Sequence, residues 1–594
     1  MNPSDNEASY SAWNPGLSSQ IPSSLLPSVT LFRTENSAID YRSAKELSDF
    51  AGLKPAELVS FRIERLIVHD LLVRVTSDLS VPDGPNYEDL GISLRTMVHT
   101  IYSKYVLPEI ETHQQAFNAA RKDCEDKIKA ELNERLFTPA SKPETPKGKS
   151  FFSRLLRPAK NSLASNNKEN LSAGSSRELL ALDHWHHRID SESDSHMRFC
   201  LQSVHRVVSA IVAHHGRMVN QPDLTTTIAT NMALNHIGTE LAHKIVRPIF
   251  KTAVEQENFH WLPIQNQPVV MNVKGASASG KSTIRPQQRQ LARKLDIPWE
   301  DFALISPDYW RKYLLDYDSL GADYKYAAML TGQELEIIDK KLDQYMAEKA
   351  SKGQLTHLLI DRFRFDSFNI DNGGHSRDSK LLSRFGDKIY LFFMITPPAE
   401  TVVRAWERGQ TTGRYKAVDD LLFHNIEAYT GMPDLFLSWV LSKDKHVHFE
   451  FLDNSVEKGH LPNTAAFGWN NSMSILDVEQ MRAIEQFKKV DVDAKSAENV
   501  FTNEGNGDNN GFLKRCLSTI SEVKFIDSES HTIYALVKDS KLVWWDREII
   551  EQRPDREFLK ALLAGTDESF ENTPSGDEVL SNASHEKQYT LGHW

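Results

Sequence analysis

What this chain has little of narrows the field first. It holds only three cysteines, Cys124, Cys200 and Cys516, far apart in sequence and in no C-x-x-C pair. Neither a zinc ribbon nor a redox dithiol is expected, and reduced thiols in a cytosol are. There is no run of about 18 uninterrupted apolar residues, and Met1 to Ser19 are polar without a charged-then-apolar pattern, so neither a membrane span nor export by a signal peptide is expected. Positive charge is scarce too. With a formal net charge of −12, bulk electrostatics argue against a nucleic-acid partner, because phosphate backbones are held by clustered Lys and Arg. A cytoplasmic location is the expectation, and delivery into another cell stays compatible with it.

What is there is ordinary for globular protein, with 40% hydrophobic and 25% charged residues. A length of 594 residues exceeds what one core can organise and predicts three or four structural units. Residues 1-40, rich in Ser, Pro and Asn, read as a flexible leader. Residues 41-137 read as helical: Val59, Ile63, Leu66, Ile67 and Leu71 fall on one helix face, and a second helical pattern runs from about Leu94 to Leu136. Residues 138-176 turn to Pro, Ser, Asn and Lys and predict a disordered linker, in which the basic Lys147 to Lys160 segment with its apolar centre could touch an anionic membrane surface or a partner groove. Residues 177-262 are helical again. This large helical N-terminal region is a candidate surface for a protein partner.

Residues 263-490 change character. Apolar runs at Val269 to Val273, Phe302 to Ile305, His357 to Ile360, Ile389 to Ile395 and Val447 to Leu452 alternate with helical stretches, which predicts a five-stranded parallel sheet with flanking helices. Residues 491-511 read as a linker, 512-565 as a small α+β appendage made of a β-hairpin and a helix, and 566-594 as a disordered tail. No internal repeat is found.

The strongest chemical signal is Gly275-Ala276-Ser277-Ala278-Ser279-Gly280-Lys281-Ser282, a full match to G-x-x-x-x-G-K-[ST], directly after an apolar strand. Backbone N–H groups of such a loop cradle phosphate oxygens, which requires residues without bulk near the backbone. Lys281 is placed to reach the β- and γ-phosphates of ATP or GTP, Ser282 to ligate Mg²⁺, and Thr283 to bond the α-phosphate. The fold class expected is therefore an α/β P-loop NTPase, preceded by the helical region and followed by the appendage. Pro286 falls in the first turns of the following helix, where it would remove a hydrogen bond, so that helix must kink or reorganise.

A second signal is Ser306-Pro307-Asp308-Tyr309-Trp310-Arg311-Lys312 at the end of the second run. Ligands of parallel sheets sit beyond the carboxyl ends of the strands, so Asp308 would face the same crevice as the loop and could take a proton from an attacking hydroxyl. Its structural alternative is an acid at a helix N-terminus.

The order of strand, GxxxxGKS, strand ending in Asp308 with an aromatic and basic helix, then strand ending in Leu358-Leu359-Ile360-Asp361 resembles the zeta-toxin family of P-loop kinases over Val269 to Asn454. The resemblance implies that Asp308 is the catalytic base and that a small-molecule hydroxyl accepts the γ-phosphate, with UDP-N-acetylglucosamine-like sugar nucleotides as the first acceptors to consider. Asp361 stands where that family has an acid ending its third strand, and with Ser282 it is a candidate metal ligand. The sequence departs from the family's Glu-Gly-Thr segment, reading Asp361-Arg362-Phe363-Arg364. In small-molecule P-loop kinases, arginines after the fourth strand neutralise the transferring phosphate. Arg404, Arg408 and Arg414 are the candidates, the first two on one helix face and the third in a Gly-bounded loop. A rival class is a nucleotide-binding switch whose helical region binds a partner. His184, His186 and His187 lack zinc spacing, and His69-Asp70 resembles a phosphohydrolase metal pair without assignable further ligands.

Overall fold

The apolar runs of the central region each become a strand because their side chains find cover on both faces. In a computed structural model of the chain, residues 10–86, 88–138, 176–362, 382–457, 459–501, 509–553, 555–563, 567–568 and 587–594 are described. The runs form β1 (Val269–Lys274), β2 (Phe302–Ile305), β3 (His357–Asp361), β4 (Lys388–Ile395) and β5 (His446–Asp453). They pair in parallel in the order β2-β3-β1-β4-β5.

The sheet does not end at β5. β6 (Asn463–Trp469) returns antiparallel to β5, β7 (Ser472–Ile475) is antiparallel to β6, and β8 (Glu522–Ile526) is parallel to β7. β9 (Ile533–Lys538) and β10 (Lys541–Trp545) extend it antiparallel, and β11 (Asp567–Glu568) closes the row. The five-stranded parallel sheet expected for a P-loop NTPase is therefore corrected to an eleven-stranded mixed sheet among the described residues. The expected C-terminal α+β appendage is corrected with it, since its hairpin is part of this one sheet. The physical reason is edge pairing: a sheet ending at β5 would leave that strand's N–H and C=O groups unpaired, and β6 takes them up. The β9–β10 turn itself is as a tight hairpin requires, with Asp539 and Ser540 at φ of 47° and 65°.

Alternate residues of β4 and β5, among them Leu391, Phe393, Phe449 and Phe451, face a core built with the helices Val418–Val440, Val478–Phe487 and Gly511–Thr519. Phe436 is its centre, with ring centroids 4.7 Å from Phe449, 5.0 Å from Phe451 and 5.8 Å from Phe512. Truncating a ring so placed costs about 3–5 kcal/mol. The other side chains of β4 and β5 meet the C-terminal segment Lys587–Trp594: Tyr589 packs on Tyr390, His448 and Trp469. The buried Glu450 carboxylate accepts from the Leu591 and Gly592 backbone N–H groups at 2.7 and 2.9 Å.

These elements belong to one compact unit comprising Met1–Thr30, Val68–Pro108 and Pro248–Trp594. Within it, Leu25 and Val29 of the N-terminal segment are buried around the short turn Ser23–Ser28. A second unit, Leu31–Ile67 and Glu109–Arg247, is helical. Its helices include Tyr41–Ala51, capped by Asp40 and ended by Gly52 in the left-handed region, and Ile110–Leu132, Arg177–Ser191 and Ser195–His215. Their apolar stripes converge on the fully buried Trp185, whose indole donates to Glu131. The Lys147 to Lys160 segment lies outside the described residues, as do Phe363 and Arg364. Among the described residues no helix is long and apolar enough to cross a membrane.

Candidate functional site

The glycine-rich loop leaves the C-terminal end of β1, where the chain order of the parallel strands reverses direction and a crevice opens. Two glycines make its path feasible. A Cβ on Gly275 would lie 2.8 Å from Met394 Cβ, and Gly280, at φ 89°, has Asn454 Nδ2 2.3 Å from where its Cβ would stand. The loop is tied to the ends of β4 and β5, because the Ser279 carbonyl accepts from Thr396 Oγ1 at 3.0 Å and from Asn454 Nδ2 at 2.8 Å. Ala276 is fully buried in the core, and Ala278 adopts φ 61°.

Lys281 folds back over the loop, donating to the Gly275 carbonyl at 3.1 Å and the Ala276 carbonyl at 2.8 Å. Burial lowers its ammonium pKa, with Arg408 and Arg414 adding to the fall and Asp361 and Asp308 opposing it. Thr283 Oγ1 donates to the Gly280 carbonyl at 2.6 Å. Pro286 causes no kink. Lys281–Ile284 form a 3-10 turn and the α-helix starts only at Arg285, so the proline stands in the first helical turn, where its missing N–H has no partner to lose.

Ser282 Oγ donates to Asp361 Oδ2 at 2.9 Å. The fold thus joins residues from the β1 and β3 ends that sequence reading paired only through a resemblance. A hydroxyl and a carboxylate are hard oxygen donors of the kind Mg²⁺ takes when phosphates and water complete its shell. Among the described residues no group of three or more His, Cys, Asp or Glu side chains could hold a metal by itself, which also removes the His184, His186 and His187 group. His69 is buried instead between Glu334 Oε1 at 2.7 Å and Lys341 Nζ at 3.1 Å, while Asp70 pairs with Arg74.

Asp308 sits in the short turn Pro307–Trp310 after β2 and is clamped by two arginines. Arg311 Nε donates to Oδ1 at 2.9 Å and Arg414 to Oδ2 at 2.6 Å. Burial alone would raise its pKa, but the charges of Arg414, Arg311 and Arg408 outweigh this and hold the carboxyl far below the usual carboxylate range. Arg408 therefore acts on the same crevice, as its influence on Lys281 also attests. Arg404 is engaged elsewhere, donating to Glu400 and to the carbonyls of Asn454 and Val456. Beside Arg414 opens a cavity of about 610 Å³ whose walls include Arg95, Lys312, Asp316, Tyr317, Asp318 and Tyr324.

Three side chains beside the loop escaped the sequence reading: Lys416, Asp420 and His424. Lys416 Nζ lies 3.3 Å from Ser277 Oγ in the loop, 2.6 Å from His424 Nδ1 and 3.1 Å from Asp420 Oδ2. Their four-residue spacing was the available signal, but nothing in it pointed to a loop so far upstream.

Set against known proteins, the chain matches no family model, no curated protein and no solved structure.

Proposed function

We propose that this chain is a phosphotransferase that moves the γ-phosphate of ATP or GTP to a hydroxyl on a small molecule, working in a cytoplasmic setting. The observation that carries the reading is the Ser282–Asp361 hydrogen bond of 2.9 Å, formed directly beside Lys281 in a loop whose N–H groups open at the carboxyl end of a parallel strand. Lys281 exchanges the Gly275 and Ala276 carbonyls for phosphate oxygens, and Arg414 and Arg408 balance charge on the transferring group. Ser282 and Asp361 would hold Mg²⁺, which would supply neutralisation of the phosphate charge. Asp308 orients the acceptor hydroxyl and receives its proton once phosphate draws Arg414 away from the carboxylate. The cavity beside Gly413, walled by Arg95 and Lys312, by Asp316 and Asp318 and by two tyrosines, suits a polar acceptor. Sugar nucleotides of the UDP-N-acetylglucosamine kind are the first to test.

One observation favours a second reading, a nucleotide-binding switch: a carboxylate held by two arginines is a weak proton acceptor. A coupled ADP- or GDP-release assay separates the two, run with Mg²⁺-ATP and Mg²⁺-GTP against sugar nucleotides, nucleotides and water, with Lys281→Ala as control. Release stimulated by one acceptor and silent in the control supports the phosphotransferase. Slow release with water alone favours the switch and removes the transferase reading.

A further inference from the structure

Residues 416, 420 and 424 recur at the spacing of one helix face, leading into the helix Val418–Val440. That face meets the glycine-rich loop. Lys416 is 17% exposed and His424 21%, and Ser277 Oγ lies 2.7 Å from His424 Nδ1. Burial, the neighbouring Lys416 ammonium and that of Lys281 hold the imidazole well below its ordinary pKa, so it is neutral and accepts a hydrogen bond from Lys416. The ammonium itself is brought down to about 8, by burial first and then by Arg408 and Arg311, against the pull of Asp420.

Cations gather around the loop. Lys281, Arg311, Arg408, Arg414 and Lys416 act on one another's surroundings, with Asp308, Asp361 and Asp420 opposing them. Such a gathering suits an anion such as a triphosphate, and Lys416 stands at the Ser277 side of the loop while Lys281 serves the Gly275 and Ala276 side.

We infer that Lys416 is a second phosphate-binding ammonium of this site, held 3.3 Å from Ser277 Oγ by the His424 imidazole as a positioning residue. This rests on the nucleotide reading above. Lys416 supplies its three N–H donors and its charge to the terminal phosphates, as a compact cation that can follow the phosphate through transfer.

The test is the affinity of the full chain for ATP with Mg²⁺, by calorimetry at pH 7 and pH 9.5, for the wild type, Lys281→Ala, Lys416→Met and Lys416→Arg, with circular dichroism on each. Losing a charge-assisted hydrogen bond should weaken ATP binding by about 10- to 100-fold in Lys416→Met at pH 7. The wild type should lose affinity toward pH 9.5 as the ammonium titrates, whereas Lys416→Arg, which stays charged, should keep more of it. Lys281 titrates in the same crevice, so the contrast between the wild type and Lys416→Arg is the deciding one. If Lys416→Met binds like the wild type while Lys281→Ala does not bind, the inference fails and the nucleotide reading stands. An identical pH loss in Lys416→Arg overturns it in the same way. If the wild type binds neither ATP nor GTP, both fall together.

Discussion

Replacing Asp308 by Asn removes the charge and exchanges one of two accepting oxygens for an amide NH2, and the geometry fixes the sign of two separate effects. The carboxylate accepts from Arg311 at 2.9 Å and from Arg414 at 2.6 Å and is 42% exposed. As the proton acceptor for the attacking hydroxyl it contributes about 10²- to 10⁴-fold in rate, so acceptor-dependent transfer should fall by that factor in Asp308→Asn. Nucleotide binding should move the other way. In the wild type, phosphate must draw Arg414 from an anion, but an amide holds a guanidinium far less tightly. Solvent screening of a half-exposed carboxylate limits the gain to about 2- to 10-fold tighter binding. Calorimetry with Mg²⁺-ATP and single-turnover transfer on the same preparation measure both. The pH profile carries a third sign: the carboxyl is held far below its ordinary range, so it stays charged from pH 7 to pH 5 and imposes no acid loss of activity in the free protein over that interval. Transfer within tenfold of the wild type, or ATP binding weakened by more than tenfold, would refute the assignment of Asp308 and its clamp.

Two further outcomes follow from buried groups away from the loop. Cys124 and Cys200 bring their sulfurs to 3.4 Å in the helical unit, so diamide treatment should join them with the loss of two hydrogens. Peptide mapping should show this bond alone with Cys516 still a thiol, and a linkage to Cys516 would contradict it. Burial raises Glu450 from an ordinary 4.5 to about 7, against hydrogen bonds from the Leu591 N–H, Thr464 and the Gly592 N–H. A raised folded value means that the stability this group adds to the folded chain is complete below about pH 4.5 and lost as pH rises through 7, at up to ~1.4 kcal/mol per unit. Denaturant unfolding should therefore show stability falling between pH 5 and pH 8, and Glu450→Gln should flatten that dependence.

The phosphate loop was legible because its four fixed positions are local and the strand before them is a continuous apolar run. The same holds for β1 to β5, whose both-face burial writes itself as unbroken hydrophobicity. The β9–β10 hairpin was legible by itself, but its place in the sheet was not, because β6 (NTAAFGW) and β7 (SMSI) are short and built of small or polar residues, and pairing of β6 with β5 and of β7 with β6 and β8 decides where they lie. Spacing treated Arg404 and Arg408 alike, yet one turn of helix separates a residue bound to the Asn454 and Val456 carbonyls from one whose charge reaches Asp308, Lys281 and Lys416. Lys416 and His424 were invisible for the opposite reason: their meaning lies in Ser277, which only tertiary structure brings near. Of the two outcomes expected at Pro286, a kink or a reorganised helix, the second holds: a 3-10 turn intervenes and moves the helix start to Arg285.

The crevice also explains which substitutions should matter most. Lys281 is bonded to loop carbonyls, Ser282 to Asp361, Asp308 to Arg311 and Arg414, and Lys416 to His424. A phosphate entering here replaces partners one for one, and an exchange of hydrogen bonds contributes little net energy. What distinguishes the crevice is the gathering of Lys281, Arg311, Arg408, Arg414 and Lys416. Binding then draws on the charge of these groups more than on the number of contacts made. A substitution that keeps the cation, such as Lys416→Arg, should therefore be milder than one that keeps the shape but removes the charge, such as Lys416→Met. The same logic makes loss of a carboxylate at Asp308 a gain for the nucleotide and a loss for the chemistry.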